Sequence, residues 1–381
     1  MASFPPSILF CGKHRVNFAM FHSVYERLRH DSSIRLLVSS GRYRWRPILG
    51  WIRPEDPTLV NEPLFKEFNL DPKHLHKTSN RDKYPYEVYV TSNLDRKMLP
   101  PNSHITVQIF HGVSFRNFAV NEKYLRFDKL FFPGKYHLEK YIERGILKPD
   151  DSRIELMGLP KLDCLVDNSI RREDVLARMG LDPALPTVLW CPTGAENNSL
   201  DRLGPAGVKA AQNGEWNFIM KLHDHPHLPP GVKPEHIQKM VRDALGPRGR
   251  IAPESNVAPL LVAADLLISD ASSVANEYCL RDRPIVFVDV PDLLQARAAM
   301  PGCAMDLDTH GRNMGQVVGN AEELTEAIKA GLASPTERSE ARRAVASHLF
   351  HEPGTAGGRM AAKLVEMAKS SQPRQGEAGR R

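Results

Sequence analysis

A chain of 381 residues that is 41% hydrophobic holds enough apolar material for two packed α/β domains, which excludes a disordered protein. Its five cysteines (Cys11, Cys164, Cys191, Cys279, Cys303) are odd in number and widely spaced, with no Cys-x-x-Cys pair, so neither a disulfide framework nor a cysteine zinc site is expected and a reducing, cytoplasmic setting fits best. No stretch approaches about 18 continuous apolar residues and the start lacks the pattern of a signal peptide, so neither a membrane span nor secretion is expected; the net charge of +6 favours an anionic partner.

Ile8 to Cys11 predicts a short buried strand, about Val16 to Arg29 a helix, and Ile34 to Val38 a second strand, which together open the chain as a βαβ unit. Gly12 in the first turn is a weak nucleotide signal, and Lys13 and His14 read as ordinary loop residues. The next segment interleaves Arg42, Arg44, Arg46 and Arg53 with Tyr43, Trp45 and Trp51. Such a mixture suits an anionic bilayer surface, aromatics at headgroup depth and arginines on phosphates; a loop packed on its own domain is the equal alternative. Pro47 and Gly50 argue against one long amphipathic helix.

Glu87 to Thr91 and Ile105 to Phe110 predict further strands, and the second runs directly into His111, Gly112 and, a little further on, Arg116. Open parallel sheets bind ligands beyond the carboxyl ends of their strands, so His111 is placed for chemistry, with a structural histidine as the bland alternative. A strand at Lys129 to Phe132, a helix from about Lys135 to Arg144 and a strand at Arg153 to Met157 continue the alternation. Gly158 to Leu165 then supplies the Gly and Pro punctuation of a domain exit, and the first domain is expected over residues 1–168.

A second series is expected over residues 169–345. It contains a helix at Glu173 to Met179, a strand at Thr187 to Trp190 ending in the turn Cys191-Pro192-Thr193-Gly194, and a strand at Trp216 to Leu222 that runs on through His223, His225 and His227. Alternate histidines suggest a metal site, but Pro226 interrupts them and no His-Glu-x-x-His helix is present; Lys221 and His223 at a strand end facing a diphosphate is the better use of the same residues. No P-loop is present and no metal motif of the Asp-x-Asp type is evident, Asp306-Leu307-Asp308 falling in the irregular region beyond Val288, so no metal ligand is assigned. Helices follow at Glu235 to Leu245 and Val257 to Ala264.

Asp265 to Val288 is the most informative stretch: a strand to Ser269, a turn at Asp270 to Ser273, a helix from Val274 to Leu280, a break at Arg283-Pro284, and a strand from Ile285. A polar turn between a strand and a helix start gathers unpaired N–H groups at one spot, which suits a phosphate. Beyond it come an irregular region, helices near Ala321 to Gly331 and Glu337 to Ser347, a C-terminal helical segment over 346–370 and a polar tail at 371–381 expected to be disordered. No solenoid repeat and no nucleic-acid-binding signature is found, so no nucleic-acid partner is expected.

Several of these stretches, in order, resemble the CDP-glycerol glycerophosphotransferases that build teichoic-acid-like polymers. FHGVSFRN at 110–117 looks like that family's Trp-His-Gly-Thr-Pro-Leu-Lys motif, and IELMGLPKLD resembles its Gly-x-Pro-Arg-x-Asp region. VLWCPTG is similar to its Ala-Pro-Thr-Trp segment, FIMKLHDHP to its Arg-x-His-Pro segment, ISDASSVANEYCL to its Thr-Asp-Tyr-Ser-Ser-x-x-x-Asp helix start, and HEPGTAGGRM to its Asp-Gly-x-Ala-x-x-Arg ending. Departures include Phe110 for tryptophan, Gly194 for the second tryptophan, Ala271 for tyrosine and Glu277 near the family's aspartate. The resemblance spans roughly residues 85–370.

It implies an α/β, GT-B-like fold of two doubly wound Rossmann-like domains facing across a cleft, acceptor handled by the first and CDP-linked donor by the second. It further implies transfer of a polyol phosphate, glycerol phosphate first, from a CDP-linked donor to an acceptor hydroxyl, with release of CMP. His111 and His223 are the implied catalytic residues; Lys221, Asp270, Ser272, Ser273, Thr193 and Glu277 the donor and phosphate side; Gly112 and Arg116 the acceptor side. A lipid-linked or glycan acceptor would place the protein on the inner face of the cell membrane, with Arg42, Arg44, Trp45, Arg46 and Trp51 as surface candidates. A sugar-nucleotide glycosyltransferase or UDP-sugar 2-epimerase on the same architecture, and a non-catalytic module for anionic surfaces, are the alternatives.

Overall fold

The computed structural model describes residues 4–12, 15–40, 44–48, 51–55, 62–81, 83–92, 102–110, 112, 120–223, 228, 232–253, 256–300 and 311–371. These divide into two units: one from 1–111, 121–163 and 351–381, the other from 112–120 and 164–350.

In the first unit the chain runs β1 (Ser7–Cys11), α1 (Arg15–Leu28), β2 (Arg35–Ser39), β3 (Arg44–Ile48), β4 (Trp51–Glu55), α2 (Glu62–Glu67), α3 (Thr78–Arg81), β5 (Tyr86–Thr91), β6 (Ser103–Ile109), β7 (Lys129–Phe132), α4 (Lys135–Glu143) and β8 (Ile154–Leu156). Six strands form one sheet in the order β2-β1-β5-β6-β7-β8, every neighbouring pair parallel. The near-continuous apolar runs of β1, β5 and β7 are what a sheet covered on both faces requires. On α1, Phe18, Phe21, Tyr25 and Leu28 recur at helical spacing and are all buried, Phe21 stacking on Phe10 of β1 at 4.8 Å.

The arginine- and tryptophan-bearing segment is neither a loop nor a helix but an antiparallel hairpin, β3 pairing with β4 in the register Arg44↔Glu55, Arg46↔Arg53 and Ile48↔Trp51. Pro47 and Pro54 are tolerated because this two-stranded ribbon leaves both outer edges free of ladder hydrogen bonds. Arg42 lies outside the described residues.

The second unit continues with α5 (Arg172–Arg178), β9 (Thr187–Trp190), α6 (Ser199–Ala210), β10 (Asn217–Met220), α7 (Pro234–Ala244), β11 (Gly249–Ile251), α8 (Ala258–Ala263), β12 (Leu266–Ser269), α9 (Val274–Tyr278), β13 (Ile285–Val288), α10 (Pro291–Ala298), β14 (Gln316–Val318), α11 (Ala321–Ala333) and α12 (Ser339–Leu349). Its sheet runs β11-β10-β9-β12-β13-β14, again all parallel, so the order reverses between β9 and β12. That is the Rossmann order, and its ligand crevice is expected at the carboxyl ends of β9 and β12. One face is covered by a core in which Trp190, Phe218, Ile268 and Val286 meet Val208 of α6 and Leu324 and Ile328 of α11.

The last helix, α13 (Ala356–Ser370), returns to the first unit and lies against α1. Gly357 permits the approach: a Cβ there would stand 2.8 Å from Arg27 Nη1 and 2.9 Å from Ser23 Oγ. The junction is made by Asp163, whose buried carboxylate accepts the N–H groups of Gly354 (3.1 Å), Ala356 (3.1 Å) and Gly357 (2.7 Å) at the start of α13. Gly158 has φ +81°, and a Cβ on it would meet the His351 carbonyl oxygen at 2.6 Å. The stretches 158–163 and 351–357, distant in sequence, thus meet within the first unit, which the chain leaves at Asp163 and re-enters at His351.

Removing the Asp163 carboxylate leaves three N–H groups at a buried helix start without an acceptor. Asp163→Ala is expected to cost about 2–4 kcal/mol in chemical denaturation, the first loss being protection of the α13 amides in hydrogen exchange. A second expectation concerns acid. Burial lowers His22 and His74 below the ordinary 6.5, His22 donating to the Phe68 carbonyl at 2.9 Å and His74 Nδ1 sharing a 2.9 Å bond with the Tyr25 hydroxyl. The unfolded chain therefore binds more protons than the native one below pH 6.5, and stability falls as pH drops through that value toward the lowered native pKa. The drop between pH 7.5 and 5.5 should be smaller in His74→Gln than in the native sequence.

Candidate functional site

At the reversal point of the second sheet, the turn after β9 and the turn after β12 are tied together by Asp270. Its carboxylate is buried and accepts the N–H of Thr193 at 3.1 Å to each oxygen, of Ser199 at 2.9 Å and of Ala271 at 2.6 Å. Burial pushes its pKa up, while hydrogen bonds from Ser199, Thr193 and Ala271 pull the other way. A carboxylate engaged by these backbone N–H groups and by the Ser199 side chain is already satisfied, so Asp270 shapes the crevice, and direct phosphate contact is chemically the wrong use for an anion.

The other residues singled out from the sequence fall around it. Lys221 follows β10, is buried, and donates from Nζ to the Leu222 carbonyl at 2.6 Å. Glu277 is buried on α9. Between them, Cys191 has its thiol pushed up to about 12 by burial; the positive charge of Lys221 opposes this, and the negative charges of Asp270 and Glu277 add to it. Lys221, Asp270 and Glu277 therefore share one low-dielectric neighbourhood at the strand ends. A thiol held so high is no nucleophile at neutral pH.

His223 lies further along the chain after β10 and is exposed, its ring lying over Gly194. Thr193, Ser272 and Ser273 are partly exposed at the same pole. Ser272 Oγ accepts from the Val274 N–H at 3.4 Å, and Ser273 occupies the cap position of α9 without a side-chain cap bond. The helix expected from Val274 to Leu280 is shorter: α9 ends at Tyr278, and Cys279–Arg281 tightens into a 3-10 turn closed by Asp282 in the left-handed region. So short a helix carries a small macrodipole, which leaves local N–H groups and side-chain cations as the means of holding an anion. Ala271 packs in an apolar cluster with Ala195, Val290 and Leu293, the last from α10, which the sequence left as irregular chain.

Of the acceptor-side expectations, Gly112 is described, whereas His111 and Arg116 lie outside the described residues, as do His225 and His227. Arg44, Trp45, Arg46 and Trp51 are located only as members of the β3–β4 hairpin. Sequence reasoning missed Ser199 and all of α6. Gly204, with φ 54°, and Pro205 kink that helix and hide it from a periodicity reading, although Asn198 and Asp201 form a capping box at its start that marks it. Through this helix the unit gains both the Ser199 N–H for Asp270 and a Ser199 hydroxyl that accepts from Trp190 Nε1 at 3.0 Å. Among the described residues no helix is long and apolar enough to cross a membrane.

Two Rossmann-like units define a GT-B-like α/β protein, with a polar cluster at the point where open sheets of this order bind ligands. The family model described as CDP-glycerol:poly(glycerophosphate) glycerophosphotransferase matches residues 84–366, and the chain belongs to that family. It is 25% identical over 167 residues to a teichoic acid glycerol-phosphate primase of Bacillus spizizenii (strain ATCC 23059 / NRRL B-14472 / W23), a match covering 43% of this chain and 40% of that relative's length. Among solved structures it is similar to the wall teichoic acid polymerase TagF, with TM-score 0.66 and 16% identity over 97% of this chain and 90% of that one. A TagF variant soaked with CDPG gives TM-score 0.63 and 17% identity over 96% and 90%. A UDP-GlcNAc 2-epimerase from Neisseria meningitidis bound to UDP-GlcNAc gives 0.53 and 11% over 94% and 100%. At these identities the structural likenesses speak for the fold.

Asp270→Asn should act on stability. The amide nitrogen it introduces faces backbone N–H donors, so a loss of about 2–3 kcal/mol is expected in urea unfolding, against less than about 1 kcal/mol for Ser272→Ala.

Proposed function

We propose that this protein is an enzyme that transfers a polyol phosphate, glycerol phosphate first, from a CDP-linked donor to an acceptor hydroxyl in the synthesis of a teichoic-acid-like or other cell-surface polymer. The observation that carries this reading is the family match over residues 84–366, which takes in the whole polar cluster at the reversal point of the second sheet. The acceptor hydroxyl attacks the β-phosphorus of the donor, a new phosphoester forms, the bond between the two phosphates breaks, and CMP departs.

His111 is assigned as the general base that takes the hydroxyl proton, a task suited to a side chain that titrates near neutrality. Charge accumulates on the departing phosphate and on the equatorial oxygens of the transferred group. His223 and Lys221 are assigned to that charge, with Ser272, Ser273 and Thr193 lining the phosphate region. Asp270 and Glu277 complete the donor side, Asp270 by holding the turns and Glu277 by balancing Lys221. Gly112 and Arg116 are assigned to the acceptor. The hairpin bearing Arg44, Trp45, Arg46 and Trp51, with Arg42 before it, is the candidate for contact with an anionic membrane surface that presents a lipid-linked acceptor.

Turnover of CDP-glycerol, with CDP-ribitol and UDP-GlcNAc in parallel and products identified by mass spectrometry, tests the proposal directly. CMP and an extended acceptor are expected from a CDP-polyol and not from the UDP-sugar; the reverse pattern would reject it. His111→Ala and His223→Ala are each expected to lower kcat by about 10²–10⁴-fold with folding intact, and a near-native rate in either would remove that residue from the mechanism.

A further inference from the structure

β9 and β10 are parallel neighbours with Met220 opposite Trp190, and the Lys221 N–H donates to the Trp190 carbonyl at 2.9 Å. The turns leaving these strands carry Gly194 and His223. A Cβ built on Gly194 would stand 2.5 Å from Nδ1, 2.6 Å from Cγ and 2.9 Å from Cδ2 of His223. Non-bonded heavy atoms are comfortable at about 3.5–4.0 Å, so the imidazole occupies space that any side chain at 194 would need. Gly194 has no left-handed φ, so backbone conformation does not demand glycine here; the ring does.

The surroundings decide which partner would yield. Thr193, the preceding residue, is tied by its N–H to both Asp270 oxygens, and Gly194 itself is buried, which holds this turn in place. His223 is exposed and has solvent to swing into. The close atoms include Cγ, the root of the ring, so a ring flip about its own axis would not relieve the contact.

We infer that Gly194 is a positioning residue: its bare Cα is the seat that holds the His223 imidazole, and the glycine standing where the family's motif has tryptophan is the condition for that seat. The inference rests on the role given to His223 above and adds what places its ring. It links the buried Asp270, through Thr193 and Gly194, to an exposed imidazole on a neighbouring strand end.

The test combines Gly194→Ala, His223→Ala and the double variant with protein labelled at histidine Cε1, the His223 signal being identified by its loss in His223→Ala. Gly194→Ala is expected to fold, to shift the His223 ring signal, and to lower kcat on CDP-glycerol by about 10-fold or more, as misplacement of a reacting group does. In the His223→Ala background the same change should alter kcat less than twofold. An unshifted ring signal, native turnover in Gly194→Ala, or losses that simply multiply would overturn the seat. Should Gly194→Ala fail to fold, the double variant must recover folding, because the obstructing ring is gone; failure to recover would also overturn it. If the native protein turns over no CDP-polyol, the proposed function falls while the ring signal still decides the seat.

Discussion

The buried carboxylate of Asp270 is the constraint on which the reversal point of the second unit's sheet depends. A carboxylate with almost no exposure is costly unless its lone pairs are satisfied, and here Thr193, Ser199 and Ala271 satisfy them with backbone N–H groups. The turn after β9, the start of α6 and the turn after β12 are thereby drawn to one point. The turn after β10 and helix α9 bring Lys221 and Glu277 near the same buried thiol, Cys191, which feels the charges of both and of Asp270.

The first unit solves a different problem with the same device. Its closing helix comes from the far end of the chain, and Asp163 secures it by accepting N–H groups at the start of α13. Gly158 and Gly357 allow the approach, since side chains at either would collide with the His351 carbonyl or with Arg27 and Ser23. Two aspartates thus act through backbone donors, each joining segments that sequence separation would otherwise leave independent. Their burial makes them acceptors of main-chain amides, and this distinguishes them from surface carboxylates whose ion pairs contribute little.

The donor side has an economy of its own. α9 is short and its dipole correspondingly weak, so under the proposed function a diphosphate would be held by the Lys221 charge, the His223 imidazole and the small polar turn of Ser272 and Ser273. Small residues shape the same pole: Ala271 packs against Ala195, Val290 and Leu293, and Gly194 yields its space to His223.

Much was legible in the sequence because local patterns carried it. Apolar runs marked the strands β1, β5, β7, β9, β12 and β13, and the alternation of strands with helices announced two parallel sheets. Ordered motifs led to the family. What escaped had weak local signals: three-residue β11 and β14 at the sheet edges, α6 behind its Gly204-Pro205 kink, α10, and the β3–β4 hairpin whose prolines and arginines obscure alternation. The uses of Asp270 and Asp163 were also beyond reach, since an acidic residue in a turn looks the same whether it meets water or buried amides. Composition and periodicity therefore determined most of the segments that become strands and helices, while only the tertiary structure decided which backbone donors each aspartate meets and which ring covers Gly194, because those contacts join residues that only folding makes neighbours.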